Sequence, residues 1–391
     1  MFDSMNRKLR MGMIGGGPGA FIGAVHRIAA GMDGEIELVC GAFSSDPEKS
    51  IQAGELLNLP PKRIYGSYKE MIRSENSLPS NERMEIVSIV TPNHVHFEPA
   101  KLALENGFHV ILDKPLAFDL KEGKIIQEIA KKSQLLFCLT HTYTGYPMIK
   151  EARQQVLSGK FGKIRKVYVD YPQGWLTNLI EGDGSHRSGK QASWRTDPAQ
   201  SGIAGAMGDI GTHAFNLAEY VSGLNVTRLC ADINTVVDGR KLDDDGTVLL
   251  KFDNGASGFL YATQIAAGEE NNTRIRVYGE KGGLEWKQEQ ANTLLVKWLD
   301  KPSEIFRTGT PYLSSFARHN TRVPAGHPEG YLEAFANLYR NFALCVKAKM
   351  SGTEPQPEWL DFPGVDDGVR GMNFVEKVIE SGKSDVKWIT L

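Results

Sequence analysis

Three groups of residues in this 391-residue chain have the types and spacing for chemistry. The first is Gly15-Gly16-Gly17-Pro18-Gly19, entered from the apolar run Leu9 to Ile14 and followed by helical composition from Ala20 to Ala30. Strand, glycine turn and helix in that order let a pyrophosphate approach backbone N–H groups at a helix N-terminus, where the helix dipole favours negative charge and a side chain would block access. The second is Asp113-Lys114-Pro115, which ends the short apolar strand Val110 to Leu112, at the strand end where open α/β sheets gather their chemistry. The third is Asp209 and His213, four apart in a predicted helix from Met207 to Ser222. Ile210, Ala214, Leu217 and Val221 line one face of that helix, and Asp209, His213, Asn216 and Tyr220 form the adjacent stripe. Taken singly, each group has an ordinary reading: a glycine-rich turn, a solvated charge pair, an exposed helix pair.

The elements that must position these groups alternate strand and helix through the first third. Strands are predicted at Leu9 to Ile14, Glu35 to Ala42, Glu85 to Val90, Val110 to Leu112 and Leu135 to Thr140, with helices between, a doubly wound parallel sheet. Gly15, Gly17 and Ala20 fit the dinucleotide pattern GxGxxG/A, and Gly23 is the third glycine if the turn carries three extra residues. After the second strand, where an acid often holds the adenine ribose of NAD, stand Phe43-Ser44-Ser45, with Asp46 and Lys49 beyond, so NAD and NADP both remain open. Thr91, Asn93, His94 and His96 form a polar turn at the same sheet edge, next to the nicotinamide side of a bound dinucleotide. Two histidines two residues apart without a thiol or carboxylate cluster are a poor metal signature, and no metal is expected.

Beyond about residue 145 the pattern changes. A helix from Met148 to Ser158 leads to strand-rich sequence with hairpin turns such as Asp253-Asn254-Gly255 and Glu280-Lys281-Gly282-Gly283, which predicts an α+β domain with a large open sheet over residues 146–391 after a dinucleotide-binding domain over 1–145. Amphipathic helices at Glu329 to Met350 and Asp366 to Ser381 close the chain, with a C-terminal helix able to pack back on the first domain. The open face of such a sheet suits a homodimer or homotetramer. Asp243-Asp244-Asp245 reads as an exposed turn, and Pro172 to Gly205 and Tyr312 to Pro328 as long loops. With 45 basic and 47 acidic residues and no basic block, nucleic acid is not an expected partner. No apolar stretch approaches the ~18 to 20 residues of a membrane span. Cys40, Cys138, Cys230 and Cys345 are dispersed, as expected for reduced thiols in the cytoplasm.

Four motifs in order resemble the Gfo/Idh/MocA family: Ile14-Gly15-Gly16-Gly17 with Gly23-Ala24-Val25-His26, Thr91-Pro92-Asn93-His94 with His96, Gly107-Phe108-His109-Val110 running into Asp113-Lys114-Pro115, and Gly208-Asp209-Ile210-Gly211-Thr212-His213. The resemblance covers essentially the whole chain. It implies an N-terminal Rossmann domain for NAD or NADP and oxidation or reduction of a sugar, cyclitol or related polyol. Within it, His213 is the general base for a secondary hydroxyl, Lys114 stabilises the developing alkoxide, and Asp209 holds the hydroxyl in register. Gly15, Gly17, Gly19, Phe21 and Ile22 hold the pyrophosphate; Ser44, Ser45 and Lys49 face the ribose; Asp113 steadies Lys114 or the cofactor. The family's usual Glu-Lys-Pro is Asp113-Lys114-Pro115 here, and Asn216 stands where an acid often follows the histidine. Substrate contacts are expected from Lys114, His141 and Tyr143, and from Trp175, Lys190, Trp194 and Arg195 of the long loop folding over the sugar. Two other classes share the scaffold: a glycosidase-type enzyme that uses NAD transiently, and a nucleotide-binding sensor without turnover.

Overall fold

Five apolar runs form one parallel sheet. β1 (Leu9–Gly15), β2 (Ile36–Ala42), β3 (Ile86–Val90), β4 (His109–Leu112) and β5 (Phe137–Leu139) stand in the order β2-β1-β3-β4-β5. Between them run α1 (Phe21–Met32), α2 (Pro47–Leu56), α3 (Tyr68–Asn76), α4 (Phe97–Glu105) and α5 (Leu120–Ser133). β3 and β4 are buried along their whole length, as strands of a parallel sheet covered on both faces must be. The order reverses between β1 and β3, so Gly15 and Val90, which are in register there, mark the point where such sheets bind ligands. The computed structural model describes residues 7–181 and 192–391.

The second sheet has nine strands. β6 (Lys166–Pro172), β7 (Val226–Asn234), β8 (Asp245–Phe252), β9 (Ser257–Thr263), β10 (Arg274–Tyr278), β11 (Gly282–Lys287), β12 (Thr293–Trp298), β13 (Glu304–Arg307) and β14 (Trp388–Thr390) run in the order β13-β12-β11-β10-β6-β9-β8-β7-β14. It is mixed: β6 pairs parallel with β9, and the other pairs are antiparallel. Its helices include α6 (Pro147–Leu157), the single turn α7 (Pro198–Ser201), α8 (Thr212–Ser222) and α9 (Ser315–His319). Two further helices follow, α10 (Tyr331–Ser351) and α11 (Val365–Lys383). One unit takes the chain to Thr142 together with Tyr331–Val369, and the other holds Tyr143–Gly330 and Arg370–Leu391. α10 thus belongs with the parallel sheet, where Phe335, Leu338, Tyr339, Phe342 and Val346 join Leu9, Met11, Val25, Ile86 and Ile111 in one core.

Several expectations are corrected. Asp243 and Asp244 are buried rather than in an exposed turn. Asp243 accepts from Gly205 N at 2.6 Å and Met207 N at 2.8 Å, anchoring the start of the helix that carries Asp209 and His213. Asp244 accepts from Val236 N, Val237 N and Arg240. Buried carboxylates need such donors, and those of Asp243 come from backbone N–H groups more than 30 positions away in sequence. The long loops contain helical turns at 192–195, Pro198–Ser201 and Ser315–His319. Asp46, which follows the two serines at the ribose position, is the N-cap of α2, accepting from Glu48 N and Lys49 N, with Pro47 in the first turn.

Candidate active site

The glycine turn is built for close approach. Gly15, Gly16 and Gly19 have φ of 83°, 72° and 81°, values that L side chains rarely adopt. A Cβ on Gly23 would lie 2.4 Å from Gly16 Cα, so Gly23, not Ala20, performs the third-glycine role of seating α1 against the turn. Ala20, the N-cap of α1, gives no side-chain oxygen to the first-turn N–H groups, and no acid stands in that turn. These donors and the dipole suit an anion, and the turn therefore fits the pyrophosphate of a dinucleotide. Phe21, 49% exposed, opens the helix beside it. Gly23→Val should weaken NADH binding at least about tenfold and destabilise the protein by about 1–3 kcal/mol through overpacking, measured by fluorescence titration and thermal unfolding.

Ser44 and Ser45 follow β2, and Ser44 Oγ accepts from Asp46 N at 3.2 Å. Lys49 Nζ lies 3.2 Å from Asp46 Oδ2. At the end of β3, Asn93 is buried and His94 is exposed. His96 is fully buried, with Nδ1 2.7 Å from Pro115 O and Nε2 2.9 Å from Thr91 O. Both of its ring nitrogens face main-chain carbonyls, so it ties the 91–96 turn to the end of β4 and presents no ring nitrogen to a cofactor. Burial lowers its pKa against the opposing pull of Asp113 and the two carbonyls.

At the end of β4, Asp113 Oδ1 accepts from Lys114 N at 2.9 Å and from Thr140 Oγ1 at 3.1 Å. Burial pushes the Asp113 carboxyl up, but His26, Lys114 and His96 outweigh it and hold the group below the usual carboxylate range. Burial and Lys114 also push the neighbouring His141 down, to about 3, against the opposing pull of Asp113. It stands neutral at working pH, able to exchange hydrogen bonds but not to attract an anion. His109, within β4, is pushed down to about 4, chiefly by burial, and its Nδ1 accepts from Leu136 N at 3.0 Å.

These two histidines predict how stability varies with pH. Unfolded histidines take up protons below about pH 6.5, whereas His109 and His141 in the native state do so only near 4 and 3. Between those limits the unfolded state binds more protons, so stability is lost as pH falls through the window. At about 1.4 kcal/mol per pH unit for each, the expected loss from pH ~6.5 to ~4.5 is roughly 5 kcal/mol. Urea midpoints across that range measure it, and His109→Gln should flatten the slope by about half.

In the other unit, Asp209 lies in a π-helical turn, Met207–Gly211, that runs into α8 carrying His213. Such turns often occur at functional sites. Gln264 Nε2 donates to Asp209 Oδ2 at 2.9 Å, and Arg195 Nε stands 3.5 Å from the same oxygen. Gln264 also reaches Gln173 Oε1 at 3.3 Å, which accepts the Trp175 indole N–H at 3.0 Å. Gln173 Nε2 donates to Asn271 Oδ1 at 2.5 Å, as does the Tyr171 hydroxyl at 2.9 Å. Asn271 Nδ2 donates to the Tyr143 hydroxyl at 3.1 Å, and the Tyr143 and Tyr171 hydroxyls share a further bond. The Tyr143 ring stands edge-on to His213 with centroids 5.2 Å apart, and Tyr171 at 6.5 Å. Burial raises the Tyr143 pKa, outweighing the Tyr171 and Asn271 bonds. One network of amides and phenols therefore runs from Asp209 to the histidine ring.

The structure thus gathers Asp209, His213, Tyr143, Trp175 and Arg195 in one unit, and the glycine turn, Thr91, Asp113, Lys114 and His141 in the other. Trp194 is covered by Arg195, whose guanidinium lies 4.2 Å from its ring centroid. Lys190 lies outside the described residues. Gln173, Gln264 and Asn271 carry no motif and were not among the expected site residues. Their common signal is an amide just past a strand end or before a strand start, and only the parallel register of β6 on β9, which pairs Pro172 with Thr263, brings Gln173 beside Gln264. Among the described residues no three His, Cys, Asp or Glu side chains stand together as metal ligands, and no helix is long and apolar enough to cross a membrane.

The parallel sheet with a glycine turn at its switch point, and a second unit built around a helix-borne histidine, define an NAD-binding oxidoreductase. Residues 9–141 match the oxidoreductase family with the NAD-binding Rossmann fold, and residues 149–285 match the GFO/IDH/MocA C-terminal domain. The chain belongs to the Gfo/Idh/MocA family. It is similar to an inositol dehydrogenase homologue from Azotobacter vinelandii, solved with NAD⁺ (33% identity, TM-score 0.92, 99% of this chain and 98% of that one) and with NADH and myo-inositol (31%, 0.90, 99% and 98%). It is 32% identical to the uncharacterised oxidoreductase YfiI of Bacillus subtilis over 98% of this chain and 97% of that protein. It is 26% identical to levoglucosan dehydrogenase of Pseudarthrobacter phenanthrenivorans over 77% of this chain and 80% of that protein.

Proposed function

We propose that this protein is a dehydrogenase that oxidises a secondary hydroxyl of an uncharged cyclitol or sugar, with NAD as acceptor. The observation that carries this reading is the network of amides and phenols, Gln264, Gln173, Asn271, Tyr171 and Tyr143, that links Asp209 to the ring of His213. Rows of amides and phenols match the hydroxyls of a polyol, whereas a phosphorylated substrate calls for clustered arginines. The relatives solved with myo-inositol or named for levoglucosan support the same class.

His213 takes the hydroxyl proton as general base, and Lys114 places positive charge by the oxygen as alkoxide develops. Asp209, fixed by Gln264, accepts from the reacting or a neighbouring hydroxyl and sets which carbon is presented. His141, Tyr143, Trp175, Trp194 and Arg195 contact the remaining hydroxyls and ring faces. The nicotinamide, when bound, supplies the hydride acceptor. Gly15, Gly17, Gly19, Phe21 and Ile22 hold its pyrophosphate, Ser44, Ser45 and Lys49 the adenine ribose, and Thr91, Asn93, His94 and Asp113 the nicotinamide half, with His96 bracing the turn. The Lys49 charge is shared with Asp46, so Lys49 is not dedicated to a 2′-phosphate, which favours NAD over NADP. Half-exposed Tyr168, Phe259 and Tyr278, in ring contact on the nine-stranded sheet, support a homodimer or homotetramer through that face in a cytoplasmic enzyme.

The test is a spectrophotometric screen of inositols, free sugars and anhydrosugars with NAD⁺ and NADP⁺ separately. Net formation of reduced nicotinamide with at least one neutral polyol is expected, faster with NAD⁺. Turnover confined to phosphorylated or carboxylated substrates would overturn the reading.

A further inference from the structure

His26 of α1 is fully buried, yet the reaction assigned above leaves it no part. Its Nδ1 lies 2.6 Å from the Tyr339 hydroxyl of α10, and that hydroxyl lies 2.8 Å from Ser88 Oγ on β3. Its Nε2 faces Asp113 Oδ1 across 3.9 Å and has no hydrogen-bond partner among the described residues. At that distance the interaction is Coulombic rather than a hydrogen bond. The carboxylate favours a proton on Nε2, the nitrogen that faces it. Were Nδ1 the protonated nitrogen, the Nε2 lone pair would face a buried negative charge. With Tyr339 donating to Nδ1, Nε2–H points at the carboxylate instead, and Ser88 donates to Tyr339. Burial pushes the Tyr339 hydroxyl well above its ordinary range, so it keeps the proton it must donate.

We propose that His26 and Tyr339 are positioning residues: Ser88, Tyr339 and His26 form a chain of donors aimed at Asp113, which through its bond to Lys114 N fixes the strand end that carries the Lys114 ammonium. The inference rests on the reading of Lys114 as a catalytic residue. Low dielectric strengthens such a chain, because no water competes for its members. Lengthening the acid by one methylene, about 1.5 Å, closes the gap to hydrogen-bond distance.

The test is a double-mutant cycle in the full-length enzyme with His26→Phe, which keeps a ring against Phe335, Asp113→Asn, and both together. It reads kcat, KM for the polyol, NADH affinity and thermal midpoint. Acting through Asp113, His26→Phe should lower kcat about tenfold in the wild-type background but less than about twofold in Asp113→Asn, with NADH affinity unchanged. Tyr339→Phe should lower kcat about threefold, and the His26 effect should grow in Asp113→Glu. A merely structural role would lower the thermal midpoint while leaving kcat unchanged, or would give the same fold-loss in both backgrounds; either result overturns the proposal. Should His26→Phe fail to fold, His26→Gln, whose amide N–H can still face Asp113, should retain at least half of kcat, and a tenfold loss there overturns it. Lys114→Ala is measured alongside. Wild-type turnover in that variant sinks the assigned role of Lys114, whereas an inactive Lys114→Ala with an additive cycle sinks only this inference.

Discussion

His213→Ala is expected to lower kcat by about 10²-fold or more while NADH binding stays within about threefold of wild type. The imidazole packs edge-on against Tyr143 on a helix of the second unit, and the glycine turn proposed to hold the cofactor is built from the first. Removing the ring therefore removes the proton acceptor and leaves the dinucleotide site intact. Added imidazole should restore part of the rate, because a small base can occupy the space left by the side chain. Rescue that saturates with imidazole, without change in NADH affinity, identifies lost proton transfer rather than misfolding. Tyr143→Phe serves as the comparison: it removes a hydroxyl from the network, keeps the ring against His213, and should raise KM for the polyol more than it lowers kcat.

Lys114→Ala is expected to cost about 10²- to 10³-fold in kcat, again with cofactor affinity preserved. An ammonium beside a developing alkoxide acts mainly in the transition state, so kcat and kcat/KM should fall together. Lys114→Arg should recover only a small part of the activity, since a planar guanidinium is broader than an ammonium and cannot take the same position. Steady-state kinetics with stopped-flow NADH binding measures both variants, and added imidazole should not rescue either. That contrast separates charge stabilisation at Lys114 from proton transfer at His213.

The parallel sheet was legible because buried strands read as continuous apolar runs and the glycine turn carries its own backbone requirement. The third glycine was ambiguous in the sequence: the spacing fits Ala20 directly and Gly23 only with three extra residues in the turn, and the contact of Gly23 with Gly16 decides for Gly23. Asp209 and His213, four apart, read by spacing alone as an ordinary helix pair, and it is the resemblance of the surrounding motif that singles them out. The carboxylate's partner Gln264 was not legible, because it comes from the far end of a strand paired with β6 by a long-range parallel register. Asp243 was misread for a similar reason. Three consecutive acids look like a solvated turn until backbone N–H groups at Gly205 and Met207 are found to satisfy one of them. The amphipathic pattern of α10 showed that it buries a face but not where, and its Tyr339 meets His26 more than 300 positions away.

In the proposed reaction a hydroxyl-bearing ring carbon of a neutral polyol gives its hydride to NAD, with Lys114, Asp209 and His213 serving the hydroxyl. The most direct measurement uses the best polyol from the screen, deuterated at its hydroxyl-bearing carbons, with mass analysis of the cofactor after single turnover. One deuterium is expected in each molecule of reduced cofactor, formed in step with the ketone and slowed when His213 or Lys114 is replaced. Reduced cofactor without deuterium, or bound NAD with no net reduction by any neutral polyol, would contradict it.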